Sequence, residues 1–206
     1  HGNEILQITK LSKELNISRA ALYKQLINLE QKKYIKSTRE GSRKRYTMVD
    51  TVISKTYKTK DLQEDQVLRN DISALLKGVS ATALSAFSYI FTEMLNNAID
   101  HSESEYVNIF FIRNAYALKA YICDKGVGIF SKIQKSLGLS EKRYAILELA
   151  KGKFTTEPKS HSGEGIFFSS RIADHFAIFS DSLAFLGKSY SGITEPMLFD
   201  DMDPQS

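Results

Sequence analysis

A mixed α+β fold in two domains is what this sequence predicts, and three observations predict it. The charge is divided: residues 1–60 carry 14 Lys/Arg against 5 Asp/Glu, a balance of +9, while residues 61–206 carry 14 against 19, a balance of −5. Apolar residues recur at three- and four-residue spacing in several stretches, as one-sided helices require. Short runs rich in β-branched and aromatic residues lie between them, as strands require. The expected domains are residues 1–60 and 61–206. The basic one suits a polyanion.

Composition sets the outer limits. The chain has 206 residues, 42% hydrophobic and 25% charged, an ordinary globular balance. No run of eighteen apolar residues occurs, so no membrane-spanning helix is expected. Cys123 is the only cysteine, which excludes a disulfide framework and a thiolate metal site. A reducing, cytoplasmic setting is expected, with Cys123 an inert buried thiol. The chain opens on His1-Gly2, which reads as a processed or tagged end.

In the basic part, Thr9 is suited to cap a short helix over Lys10 to Leu15. Asn16-Ile17 reads as a turn, and Ser18 offers a second cap. From Ala20 to Gln31, Leu22, Leu26 and Leu29 form one apolar stripe. Tyr34 to Lys36 reads as strand, Arg39-Glu40-Gly41-Ser42 as a hairpin tip, and Arg43 to Met48 as the returning strand. The order helix, turn, helix, basic hairpin resembles the winged helix-turn-helix of bacterial regulators over about residues 5–50. Its first helix would lie before Thr9. A helix start bearing Ser18, Arg19, Tyr23 and Lys24 suits a major groove of double-stranded DNA. Arg39, Arg43, Lys44 and Arg45 suit phosphates or a minor groove. The alternatives are a solvated basic face or an adaptor that holds a protein partner.

Thr51 to Lys60 has no clean period and reads as the end of the wing or a link. From Asp61 the pattern turns helical, with Leu68, Ile72, Leu75 and Leu76 at helical spacing. Gly78 and Ser80 interrupt it. A long helix follows from Ala83 to His101, apolar at Phe87, Phe91, Leu95 and Ala98 among others. Glu93 and Asn97 sit four apart, so both project from one face. An acid and a carboxamide placed so can polarise a water and hold a divalent cation. Val107 to Ile112 and Ala117 to Cys123 read as a hairpin. The second strand runs into Asp124-Lys125-Gly126-Val127-Gly128, where the glycines allow a sharp turn close to a flat ligand. Gly163-Glu164-Gly165 precedes a helical pattern from Ile166 to His175. Amides at such a helix start suit a polyphosphate. Phe167 and Phe168 read as core. Phe176 to Ser180 and Leu183 to Leu186 read as strands.

The stretches "FTEMLNNAIDH", "DKGVGIF" and "SGEGIFFSS", in this order, resemble the N box and two glycine boxes of the GHKL ATP-binding domain. That domain is shared by gyrase, histidine kinases and MutL. The resemblance covers about residues 66–190. More narrowly, the chain resembles a bacterial group that joins a winged helix to this module, often with a STAS-like domain after it. The resemblance implies an α/β sandwich of the histidine kinase-like (Bergerat) type. It implies Glu93 as general base, Asn97 as the Mg²⁺ ligand and Asp124 as acceptor of the adenine amino group. Gly126 and Gly128 would shape the pocket, and Gly163 and Gly165 would present amides to the phosphates. Phe130 to Ser162 would be a mobile lid with a helix near Glu141–Lys151. Of the lid lysines Lys151, Lys153 and Lys159, Lys153 is the preferred γ-phosphate contact.

Two departures stand out. Lys125 occupies a position where an acidic residue is expected, and the tail "EPMLFDDMDPQS" lacks the usual Gly-Thr strand, as if the last strand were missing. The expectation is an ATP·Mg²⁺-binding, slowly hydrolysing, nucleotide-responsive DNA-binding transcriptional regulator, with dimerisation or orientation of its winged helices under nucleotide control. The alternative is a serine/threonine protein kinase of the anti-sigma-factor type, acting on a partner protein.

Overall fold

The computed structural model describes residues 8–41, 43–152 and 164–187. The fold mixes helices with small sheets. The chain groups into two compact units: His1–Ile53 with Phe111–Lys119, and Ser54–Phe110 with Ala120–Ser206.

In the first unit, helix α1 spans Ile8–Glu14. Thr9 therefore lies inside it, not at its cap, and its carbonyl accepts the Ser12 hydroxyl at 3.1 Å. Asn16 turns the chain at φ 51°, a left-handed conformation that Asn tolerates better than most residues. Ser18 caps helix α2 (Arg19–Gln31), its hydroxyl oxygen accepting from the Ala21 amide at 3.1 Å. Leu22 and Leu26 are buried, as their spacing requires. Strands β1 (Ile35–Glu40) and β2 (Arg43–Met48) pair antiparallel, with Ile35 opposite Met48 and Glu40 opposite Arg43. Pairing runs nearer the tip than expected, so only Gly41 and Ser42 separate the strands, and Gly41 turns at φ 61°.

Thr51–Lys58 is strand β3, not a link. Its side chains are mostly exposed, so no apolar alternation marks it in the sequence. It joins β4 (Tyr106–Arg113) and β5 (Leu118–Asp124) in the order β3-β4-β5. Val107, Ile109 and Phe111 of β4 are fully buried. The helix expected from Asp61 is broken into α3 (Glu64–Gln66), a π-turn over Val67–Asp71 and α4 (Ser73–Leu76). Val67, Ile72 and Leu75 are its buried anchors. Asp71 ties this segment to β3, accepting from Lys55 Nζ and, at 2.7 Å, from the Tyr57 hydroxyl. Burial resists ionisation of Asp71, but the bonds from Lys55 and Tyr57 and the Lys55 charge outweigh it and hold its carboxyl below the ordinary value. Burial first, then Asp71, pushes the Tyr57 hydroxyl far up.

Ser80 caps the longest helix, α5 (Ala81–His101), accepting from the Ala83 amide at 3.3 Å. It buries Phe91, Leu95 and Ala98, and Phe87 stacks on Phe91 at 6.1 Å. Beyond β5 come α6 (Ile129–Leu137), α7 (Tyr144–Lys151), α8 (Gly165–Ile172) and the antiparallel pair β6 (Ala177–Ser180) and β7 (Leu183–Leu186). Phe130, Ile133, Ala145, Ile146, Leu149, Ile166, Phe176 and Phe185 form one buried cluster. The described part of the stretch expected as a lid, residues 130–152, holds α6 and α7, each of which turns buried residues into this cluster and leaves its other face exposed; residues 153–162 lie outside the described residues.

Two smaller expectations are also corrected. Cys123 is exposed, because strand alternation sets it on the open side of β5; partial shielding of the thiol from water and then the Asp124 charge push its ionisation up. Phe168 is 43% exposed rather than core, while Phe167 is half-buried beneath the Arg171 guanidinium, 4.8 Å away. No helix among the described residues is long and apolar enough to cross a membrane. The expected helix before Thr9 and the acidic tail lie outside the described residues.

Asp71 gives a pH test. Its folded ionisation is lowered, so its contribution is present above the ordinary 3.8 and is lost as pH falls through the folded value. Asp71→Asn should cost about 1 kcal/mol in urea unfolding at neutral pH, since its Lys55 partner is half exposed. The gap between variant and wild type should close on acidification below about 4.

Candidate functional site

Helix α5 supplies the first two candidate residues. Glu93 and Asn97 are both half-buried one turn apart. The Asn97 side-chain amide donates to the Glu93 carbonyl at 2.8 Å. That bond uses an N–H, so Oδ1 is the atom with which Asn97 can take a cation.

The second glycine stretch meets α5 at Glu93. Gly165 opens α8, and a side-chain carbon on it would overlap Glu93 Oε2. Glycine at 165 is thus what lets the carboxylate reach the first turn of α8. There the helix dipole favours negative charge. Tyr89, one turn before Glu93, has its hydroxyl pushed up by burial first and then by the charges of Glu93 and Glu164. Tyr89, Glu93, Glu164 and Gly165 therefore share one place.

The first glycine stretch meets α5 at its other end. Asp124 folds the turn itself, accepting from the Gly126 amide at 2.9 Å. A side-chain carbon on Gly126 would overlap the Ser102 carbonyl, which accepts from Val127 N at 2.8 Å. Gly128 starts α6 at φ 75°, and a carbon there would lie 2.5 Å from Ser180 Oγ. Next to it, Asp181 accepts from Lys142 Nζ at 2.6 Å and Ser131 Oγ at 3.2 Å. The Lys142 bond outweighs burial and holds the Asp181 carboxyl below its ordinary value.

Two glycine stretches far apart in sequence are thus brought to one helix, at Glu93 and at Ser102. Lys132 was not foreseen. Its ammonium donates to the His101 carbonyl at 2.9 Å and lies 3.8 Å from Glu103, offsetting the negative end of α5. Lys151 bonds Glu148 at 2.6 Å. Lys153, Lys159 and Gly163 lie outside the described residues. Among the described residues, no three His, Cys, Asp or Glu side chains group to hold a metal. A Mg²⁺ that shares its shell with phosphates and water asks for only one or two protein ligands, and Asn97 suits that role.

The basic residues fall on two elements of the first unit. Arg19 is the first residue of α2, and Tyr23 and Lys24 lie exposed on its next turn. Ser18 is occupied as the cap. On the hairpin, Arg39 is opposite Lys44 and Thr38 opposite Arg45. Lys44 is 3.6 Å from Glu30 and 5.6 Å from the centre of the Tyr46 ring. The side chain of Arg43 lies outside the described residues.

The Glu93–Gly165 contact predicts a coupled pair. Gly165→Ala should destabilise the chain by about 1–2 kcal/mol alone and by nearly nothing in a Glu93→Ala background, because the overlapping atom is a removable carboxylate. Gly126→Ala overlaps backbone, so Glu93→Ala should not relieve it. Urea unfolding of the double-mutant cycle measures both. Compared with models of protein families, with curated proteins and with solved structures, the chain matches none.

Proposed function

We propose that this chain is a nucleotide-responsive DNA-binding regulator: a GHKL-type module binds ATP·Mg²⁺ and a winged helix binds double-stranded DNA. The observation that carries the nucleotide half is the convergence of both glycine stretches on α5. Gly165 admits the Glu93 carboxylate, and Gly126 admits the Ser102 carbonyl. No other residue fits at either point without displacement, so these glycines serve close approach.

In this reading Asp124 accepts the adenine amino group with the oxygen not used for its own turn. Asn97 holds Mg²⁺ through Oδ1, and the first-turn amides of α8 face the phosphates. Glu93 orients a water and accepts its proton on a carboxylate oxygen. Bound Mg²⁺ would supply charge neutralisation at the phosphates. A nucleotide can switch the protein only if it binds two states with different affinity.

Calorimetric titration with ATP·Mg²⁺ tests the site. Wild type should bind, and Glu93→Ala should still bind while phosphate release falls by a hundredfold or more, the scale of a lost general base. Unchanged turnover in that variant would remove Glu93 from the mechanism, and no binding by wild type would end the nucleotide reading. Label moving from ATP to a partner protein would favour the serine/threonine kinase alternative.

The DNA half rests on the exposed Arg19, Tyr23 and Lys24 and on the basic hairpin. Duplex affinity should fall steeply with salt, and replacing both Arg39 and Arg45 by Ala should flatten the log–log slope by about two. Filter binding across a salt series measures this. A flat salt response would favour the protein-adaptor reading.

A further inference from the structure

One face of the three-stranded sheet is used by neither proposed site. On β4, Val107 and Ile109 are fully buried, whereas Tyr106 and Phe110, on either side of them, are 41% and 39% exposed. Tyr121 on β5 is 51% exposed. Thr59 N donates to the Glu105 carbonyl at 3.0 Å, and Thr56 Oγ1 bonds Asn108 Oδ1 at 2.6 Å. Lys58 Nζ stands 5.8 Å from the centre of the Tyr106 ring. These contacts put Thr56 and Lys58 on the face that carries Tyr106, Asn108 and Phe110. The bond from Asn114 N to the Ala117 carbonyl, 3.0 Å, closes the β4–β5 hairpin. Counting back from that closure sets Tyr121 across from Phe110.

The face therefore holds two rings side by side and a third about 13 Å along the strand, with an amide and a hydroxyl between and an ammonium at the edge. A protein-docking face has a contiguous apolar centre. Here the rings are broken up by Asn108 and Thr56. The Tyr106 ring also has Lys58 standing over it. Ordered rings on an open sheet offer stacking planes that any nucleobase can use, and a lysine beside them takes phosphate. Paired bases are already stacked and do not reach such planes.

We propose that this sheet face, through Tyr106, Phe110, Tyr121 and Lys58, binds single-stranded nucleic acid with little sequence preference. It is separate from the duplex-binding role assigned to α2 and the β1–β2 hairpin.

Fluorescence anisotropy of the full chain with labelled oligothymidylate and oligouridylate tests it. Phe110→Leu with Tyr121→Leu keeps apolar bulk and removes the rings; it should weaken single-strand binding by about tenfold or more. Lys58→Ala should reduce the salt slope by about 0.7, one phosphate of single strand. Phe110→Tyr should retain binding, and duplex affinity should stay unchanged in all three. Failure of wild type to bind either strand at low salt overturns the proposal. So does undiminished binding by the Leu variant while its circular dichroism melt matches wild type.

Discussion

The close approach of two glycine turns to one helix is the constraint on which the larger unit depends. Helix α5 is capped by Ser80 at one end, and at the other its Ser102 carbonyl is taken by Val127 N. Between them Glu93 reaches the first turn of α8. Each contact exists because a side chain is missing from Gly126 or Gly165. The proposed nucleotide site rests on the same contacts. They bring an acid, a carboxamide, a strand-end aspartate and a helix start to one element, although these groups are far apart along the chain.

Packing around that helix explains the rest. α6, α7 and α8 close over Phe130, Ile146, Ile166 and Phe176, and Ile90 and Met94 of α5 pack against this cluster. A buried cluster of this kind resists movement, since each large side chain removed from it would cost several kcal/mol. The smaller unit is different in kind. Among the described residues its buried apolar side chains are Leu22, Leu26 and Phe111, and its surface carries most of the chain's positive balance.

How much was legible in the sequence depended on what kind of force built each element. α2 and α5 were readable because their apolar spacing and, for α2, the Ser18 cap are local features, whereas Ser80 read only as an interruption. β4 was readable from its run of β-branched, aromatic and aliphatic residues. β3 was not, because its side chains are mostly exposed and its place comes from backbone pairing with β4. The break over Val67–Asp71 was hidden for a similar reason: the hold on Asp71 comes from Lys55 and Tyr57 on another element. The helix expected near Glu141–Lys151 is α7, whereas its packing with α6 and α8 depends on which face of each helix meets the buried cluster.

By itself the sequence determined the Ser18 cap, the glycine turns and the divided charge, and it marked Glu93, Asn97 and Asp124 as candidates. These follow from local rules of spacing and from residue type. Only the tertiary structure decided that Gly165 faces Glu93, that Gly126 faces Ser102, that Cys123 is exposed, and that an aromatic sheet face is left open. Each of those depends on which side of an element meets another, and a linear pattern carries no information about that meeting until the chain has packed.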